Sequence, residues 1–132
     1  MPSRERHHVT ETELAVLEVL WDREPATIRA ITDELYPGGE ASHYATVQKL
    51  LERLEAKGCV RRQRSKIPHT FRSRVDRGTL ISGRLRDVAD TLCGGSLSPL
   101  LTRLVEDERL SREEIDTLRD LVEKLDKGGK GA

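Results

Sequence analysis

The sequence predicts a mainly α-helical protein that contains one small β-hairpin. Apolar residues recur at the helical spacing i, i+3, i+4 and i+7 in successive segments, and Gly or Pro residues separate most of these segments. Between the third and fourth helical segments lie two short runs that favour strands, joined by a turn at residues 65–68. The length of 132 residues suits one domain, or a small domain with an appendage.

The first two helices have clear start signals. Thr10 and Glu13 have the spacing of a capping box, which predicts that the first helix begins there. Pro25 ends this segment with a short extended link through Ala26, and Thr27 is expected to cap the second helix. The residues expected to face inward are Leu14, Leu17, Leu20 and Trp21 in the first helix, and Ile28, Ile31 and Leu35 in the second.

The third helix, residues 42–57, has one apolar side and one polar side. We expect Ser42 or His43 to cap it and Gly58 to end it. The apolar stripe consists of Val47, Leu50, Leu51 and Leu54. The small, amide and cationic side chains near its start are the types that reach base edges and phosphates in a DNA major groove. The predicted DNA-contacting residues are Ser42, His43, Tyr44, Ala45, Thr46, Gln48, Lys49 and Arg53. An ordinary amphipathic surface helix would show the same periodicity.

A basic hairpin follows the third helix. Residues 59–64 and 69–75 are the predicted strands. Three helices followed by a hairpin is the order of a winged helix-turn-helix domain, here residues 1–75, in which the hairpin is the wing. We expect Arg62, Arg64 and Lys66 to meet DNA phosphates or the minor groove, the alternative being a merely solvated charged hairpin.

Charge is segregated along the chain although the formal net charge is zero. From Lys57 to Arg86 the only acidic residue is Asp76, whereas acidic residues outnumber basic ones from Asp87 to Asp126. This distribution indicates a polyanion as the partner of the middle of the chain.

Residues 76–132 form a second predicted domain, with three short helices and a loose tail at residues 128–132. Asp76 and the capping box of Ser111 and Glu114 mark helix starts, and Ser98-Pro99 begins the short middle helix. Each helix has one apolar side, which a single copy cannot bury, so we interpret this arm as a dimerisation module. The predicted dimer residues are Leu85, Val88, Leu92, Leu101, Leu104, Ile115, Leu118, Leu121, Val122 and Leu125.

Other classes of protein are disfavoured. No apolar run has the length of a membrane span and no hydrophobic signal core is present, so a cytoplasmic location without membrane insertion is expected. The sequence contains no motif typical of a catalytic nucleophile or of a glycine-rich phosphate-binding loop, and no cofactor is implied. His7-His8 lacks the further ligands of a metal site. Cys59 and Cys93 are interpreted as reduced, buried residues, because a redox role would need an exposed thiol of low pKa.

Three blocks carry a family resemblance: residues 12–21, residues 45–54 with Lys57-Gly58, and residues 95–101 with 110–115. In order and spacing they resemble the BlaI/MecI family of penicillinase repressors. The resemblance implies a homodimeric winged-helix repressor that binds a pseudo-palindromic DNA operator through the helix around Thr46. It also implies release of repression by cleavage, commonly triggered by a membrane-bound sensor peptidase.

Two departures from the family pattern affect these expectations. The chain lacks the C-terminal cysteine cluster of the copper-responsive branch, which speaks against copper sensing. Arg103-Leu104 stands where the penicillinase repressors have a scissile Asn-Phe pair, which speaks against a protease of that specificity. The remaining functional alternatives are a winged helix that binds another protein and a non-specific DNA-binding protein.

Overall fold

A computed structural model describes residues 8–107 and 109–128 and confirms the predicted fold class. His7 and the end of the predicted tail, residues 129–132, lie outside the described residues. The described elements are α1 (Glu11–Arg23), β1 (Ala26–Thr27), α2 (Ile28–Leu35), α3 (Ala41–Ala56), β2 (Val60–Gln63), β3 (Thr70–Ser73), α4 (Arg77–Leu92), α5 (Ser98–Asp107) and α6 (Arg112–Gly128).

Four predicted helix starts are confirmed by hydrogen bonds. Thr10 Oγ1 accepts from the Glu13 amide while a Glu13 carboxylate oxygen accepts from the Thr10 amide, which completes the capping box of α1. The other three starts use Thr27 for α2, Asp76 for α4, and the reciprocal pair of Ser111 and Glu114 for α6.

The start of α3 differs from the prediction. Its N-cap is Glu40, so the expectation that Ser42 or His43 caps the helix was wrong. His43 instead occupies the third helical position, where its Nδ1 accepts a 3.0 Å hydrogen bond from the Glu40 amide. The His43 ring also stacks on Tyr36 at a centroid distance of 4.3 Å. A histidine thus performs the reciprocal role that Glu or Gln usually has in a capping box.

The wing belongs to a three-stranded antiparallel sheet with the order β1-β3-β2. The link through Ala26 is a strand, because Ala26 pairs with Phe71 and Thr27 pairs with Thr70. Two residues are too few to show an alternating pattern in the sequence. In the hairpin itself, Arg61 lies opposite Arg72 and Arg62 opposite Phe71, and both strands are shorter than predicted.

The core gathers side chains from α1, α2, α3 and the sheet. The apolar stripe of α3 is buried as predicted. Val16 and Val19 belong to the buried side of α1, whereas Leu14 and Trp21 are partly buried and pack against the edge of the core. The largest fully buried apolar side chains are Phe71, Leu17, Leu20, Ile31, Leu51 and Leu54.

The chain divides into two compact units, and the division falls after Leu85, inside α4. The first turn of α4 belongs with the core, because Leu80 packs against it and Arg77 forms an ion pair with Glu18 of α1. Trp21 Nε1 also donates a 2.8 Å hydrogen bond to the Val75 carbonyl. The predicted boundary after Val75 stays a prediction. In the unit that begins at Arg86, Ala89 is the only buried residue within the described ranges.

Candidate nucleic-acid interface

The face of α3 opposite the core is exposed and polar. Burial of Val47, Leu50, Leu51 and Leu54 fixes the orientation of the helix about its own axis. In this orientation the exposed residues are Ser42, Ala45, Thr46, Gln48, Lys49 and Arg53, while His43 and Tyr44 are partly buried. The side chains of Gln48 and Lys49 form no hydrogen bond or ion pair with any residue that the structure describes. Their polar groups are therefore available to a ligand.

A shallow depression of about 270 Å³ lies along this face. It is lined by Ala45, Thr46, Lys49, Leu50 and Arg53. The Thr46 hydroxyl donates to the Ser42 carbonyl at 3.0 Å, which fixes the position of its side chain. A surface of small side chains edged by a lysine and an arginine can approach a nucleic-acid groove closely.

A second groove, of about 360 Å³, lies between the starts of α2 and α3 and the turn of the wing. It is lined by Thr27, Ile28, Arg29, Tyr44, Arg62, Ile67, Pro68 and His69. The Arg29 guanidinium lies 5.4 Å from the centroid of the Tyr44 ring, which is cation–π geometry. Ile67, at the wing turn, is 92% exposed. Sequence patterns did not indicate Arg29, because its proximity to Tyr44 depends on how α2 packs on α3.

The end of α3 is tied to the start of α1 by a buried carboxylate. Glu13 is 1% exposed, and its two oxygens accept from Lys57 Nζ at 2.6 Å and from Arg53 Nε at 3.2 Å. Lys57 also donates to the His8 carbonyl at 2.6 Å. Burial raises the pKa of Glu13, but hydrogen bonds from Lys57 and the Thr10 amide and the charges of Lys57 and Arg53 lower it. The net pKa lies below the ordinary value, so Glu13 is ionised at neutral pH.

Two of the predicted DNA-contacting residues of the wing are paired inside the domain. Arg62 and Arg64 form ion pairs with the two carboxylate oxygens of Glu55 in α3, at 3.2 and 3.4 Å. The Arg62 side chain is only 17% exposed and lies over the Phe71 ring at 4.9 Å. Its Nε is buried and has no hydrogen-bond partner among the described residues. These contacts hold the wing against α3, and a DNA contact by Arg62 or Arg64 stays a prediction.

Two arginines that were not among the predicted DNA-contacting residues lie on the opposite face of the wing. Arg61 and Arg72 lie directly opposite each other, both are exposed, and neither forms an ion pair with the described part of the chain. Like charges that face each other across two strands destabilise a hairpin, and an external anion would relieve this repulsion. The alternation of buried Val60 with the next residue could have indicated this face, because successive side chains of a strand point to opposite sides.

The two cysteines are free thiols in different surroundings. Cys59 is fully buried, whereas Cys93 is partly buried. Burial raises the pKa of Cys59, partly offset by the charge of Lys57, while the charge of Glu13 raises it further. Its thiol is therefore protonated at neutral pH, which is the state of a structural rather than a reactive cysteine.

Two kinds of site are not formed by residues 8–107 and 109–128. These residues contain no group of three or more His, Cys, Asp and Glu side chains that could hold a metal ion. The helices in the same ranges also lack the combination of length and apolar character that a membrane crossing requires.

The three helices followed by the antiparallel hairpin define a winged helix-turn-helix fold. Residues 9–124 match the penicillinase repressor family. A transcriptional regulator BlaI of Mycobacterium tuberculosis is 32% identical over 120 residues, which cover 89% of this chain and 85% of the relative.

Two further relatives cover a similar share of the chain. A penicillinase repressor of Staphylococcus aureus is 23% identical over 119 residues, or 90% of this chain and 94% of the relative. A methicillin resistance regulatory protein MecI of Mammaliicoccus sciuri is 24% identical over 118 residues, or 89% of this chain and 95% of the relative. The chain therefore belongs to the penicillinase repressor family, which confirms the resemblance found in the sequence. It is a transcriptional repressor by family.

The contacts of Arg62 predict that Arg62→Ala lowers the free energy of unfolding by about 1–3 kcal/mol. The substitution removes a charge-assisted hydrogen bond and a cation–π contact, and it uncovers Phe71. The matched control is Arg61→Ala on the outer face of the same strand, which should change stability by less than about 0.5 kcal/mol. Urea unfolding followed by circular dichroism measures both, and equal effects would contradict the inward role of Arg62.

Proposed function

We propose that the protein represses transcription by binding double-stranded DNA as a homodimer, with α3 of each copy in a major groove. The observation that carries this proposal is the exposed face of α3, on which Gln48 and Lys49 have no partner in the described structure. A major groove is wide enough to admit an α-helix, and each base pair presents a distinct set of donors and acceptors there. Membership in a repressor family supports the same reading.

Within α3 the side chains are suited to different contacts. Gln48 carries the amide that can form two hydrogen bonds with adenine, whereas Lys49 and Arg53 supply charges for phosphates. The small residues Ala45 and Thr46 allow the helix to approach the bases. Ser42, His43 and Tyr44, at the start of the helix, complete the proposed contact set.

The wing supplies further phosphate contacts in this proposal. Lys66 at the turn and the Arg61–Arg72 pair on the outer face are exposed and have no ionic partner in the described residues. Their charges would release counterions from DNA, an effect that strengthens binding without reading sequence. Arg62 and Arg64 contribute mainly by holding the wing against α3 through Glu55.

We predict that Gln48→Ala weakens binding to the operator by about 1–3 kcal/mol and changes binding to random DNA little, because base readout is lost while phosphate contacts remain. The operator duplex would be selected from a random library with the full chain, and affinity measured by gel shift. The control, Lys49→Ala, should weaken binding to both duplexes alike. Equal losses on both duplexes for Gln48→Ala would show that this residue does not read bases, and equal affinity of the unaltered chain for both duplexes in a competitor-DNA gel shift would indicate a non-specific DNA-binding protein. Binding that barely responds to salt would indicate a protein partner instead.

The proposed dimer interface consists of residues of α4 from Leu85 onward and of residues of α5 and α6. The exposed fractions of Leu92 and Leu125 are 78% and 74%, and neither α5 nor α6 contains a buried residue among those described. Exposed apolar side chains at helical spacing are stabilised by burial against another surface. A second copy supplies the same apolar sides, and the contact residues we propose are Leu85, Val88, Leu92, Leu101, Leu104, Ile115, Leu118, Leu121, Val122 and Leu125.

We predict that Leu118→Asp combined with Val122→Asp converts the dimer to a monomer. The two positions lie one turn apart on the apolar side of α6, so the pair places two charges in the proposed interface at a cost of several kcal/mol. Light scattering would measure the mass. The control pair, Thr117→Asp with Lys124→Asp, adds at least as much negative charge at exposed positions on the polar side of α6 and should leave the dimer intact. A dimer that survives the first pair would place the interface elsewhere.

Release of repression is proposed to follow cleavage within α5, at or near Arg103-Leu104. Both residues lie in this ten-residue helix, which has no buried residue, and its exposed Arg103–Asp107 ion pair stabilises it only slightly. When it is not covered by the proposed dimer contacts of Leu101 and Leu104, so short a helix opens at low free-energy cost, and a protease needs an extended substrate. The family resemblance suggests that a membrane sensor peptidase triggers the cleavage, but Arg103-Leu104 replaces the Asn-Phe pair, so a protease of different specificity or a ligand that acts on the arm is the alternative. Cleavage removes α6 and with it much of the proposed interface.

A chain ending at Thr102 is predicted to lose about a hundred-fold to ten-thousand-fold in affinity for the operator, because linked binding of two heads is lost. Gel shift and sedimentation of the truncated and full chains would measure affinity and mass. Replacing the removed segment with a leucine zipper should restore binding if its role is to join two heads. Full affinity of the truncated chain as a dimer would exclude cleavage there as the switch.

A further inference from the structure

Glu13 contacts only one of the three guanidinium nitrogens of Arg53. The carboxylate lies in the core, and its Oε2 accepts from Arg53 Nε at 3.2 Å, across 40 residues of sequence. The Arg53 side chain is nevertheless 59% exposed. Its two terminal nitrogens form no hydrogen bond with the residues that the structure describes. The guanidinium is therefore fixed on its inner side and available on its outer side.

Arg53 borders the depression on the polar face of α3, where DNA contact is proposed. Arg53 lies one helical turn after Lys49, and both line the depression together with Ala45 and Thr46. A guanidinium offers its donors in a planar fork that matches two oxygens of a phosphate. Fixing the fork before binding reduces the side-chain entropy that is lost when the phosphate contact forms.

From this geometry we infer that Glu13 is a positioning residue for DNA binding, which orients Arg53 toward a backbone phosphate beside α3. The inference rests on the proposed function and adds to it a residue that does not itself touch DNA. Glu13 acts through Arg53, because its buried carboxylate fixes the guanidinium on the side that faces away from the DNA.

A different role for Glu13 would be to neutralise Arg53 and so weaken its attraction to DNA. The contacts argue against this role, because the single carboxylate also binds Lys57, at the shorter distance of 2.6 Å. One negative charge between two cations leaves a positive charge uncompensated. The two roles predict opposite effects when the carboxylate is removed.

The test is a double-mutant cycle on DNA binding, with the full chain and a 30-base-pair duplex of random sequence, measured by fluorescence anisotropy at several salt concentrations. We expect Arg53→Gln to weaken binding about three-fold to ten-fold and to reduce the salt slope by about one. Glu13→Gln should weaken binding in the same direction. It should have no further effect when Arg53 is already Gln, because the residue through which it acts is absent. As a control, Lys49→Gln should combine additively with Glu13→Gln.

Three outcomes would overturn the inference. Tighter binding or a steeper salt slope for Glu13→Gln would show that Glu13 neutralises Arg53. An equal loss in both Arg53 backgrounds would show that Glu13 does not act through Arg53. If Glu13→Gln does not fold, Glu13→Asp keeps the charge but withdraws it by one methylene. Reduced affinity for Glu13→Asp supports positioning, and wild-type affinity contradicts it. Failure of the unaltered chain to bind either this duplex or any duplex selected from a random library would instead overturn the proposed function itself.

Discussion

Burial of the apolar stripe of α3 is the constraint on which the rest of the structure depends. Val47, Leu50, Leu51 and Leu54 pack into a core shared with α1, α2 and the sheet, and this burial fixes how the helix is rotated. Turning the helix by half a turn would expose these four side chains at a cost of several kcal/mol. The same constraint holds Gln48 and Lys49 on the outside. Stability and the proposed recognition of DNA thus derive from one amphipathic helix.

Two carboxylates connect this helix to its neighbours. Glu13 of α1 binds Arg53 and Lys57 near the end of α3, and Glu55 of α3 binds Arg62 and Arg64 of the wing. Glu55 therefore reduces the charge that the wing offers to DNA, whereas Arg53 keeps the outer side of its guanidinium exposed. The cations without an ionic partner in the described structure, among them Lys49, Lys66, Arg61 and Arg72, define the surface proposed to meet phosphates.

Local signals in the sequence predicted the helices well, because capping boxes and apolar periodicity depend on residues only a few positions apart. Thr10 with Glu13 and Ser111 with Glu114 were identified in this way. Features set by distant residues were missed. The strand β1 exists because Phe71 pairs with Ala26, and the inward role of Arg62 depends on Glu55 and Phe71 together. The cap of α3 was missed because His43 replaces the usual Glu or Gln.

Guanine methylation by dimethyl sulfate tests the central claim, that α3 reads the major groove as part of a dimer, most directly. The reagent attacks guanine N7, which lies in the major groove. On a duplex selected by the full chain, we expect protection at two symmetric half-sites separated by about one or two helical turns. Unchanged guanine reactivity throughout the bound duplex, or protection at a single asymmetric site, would contradict the account.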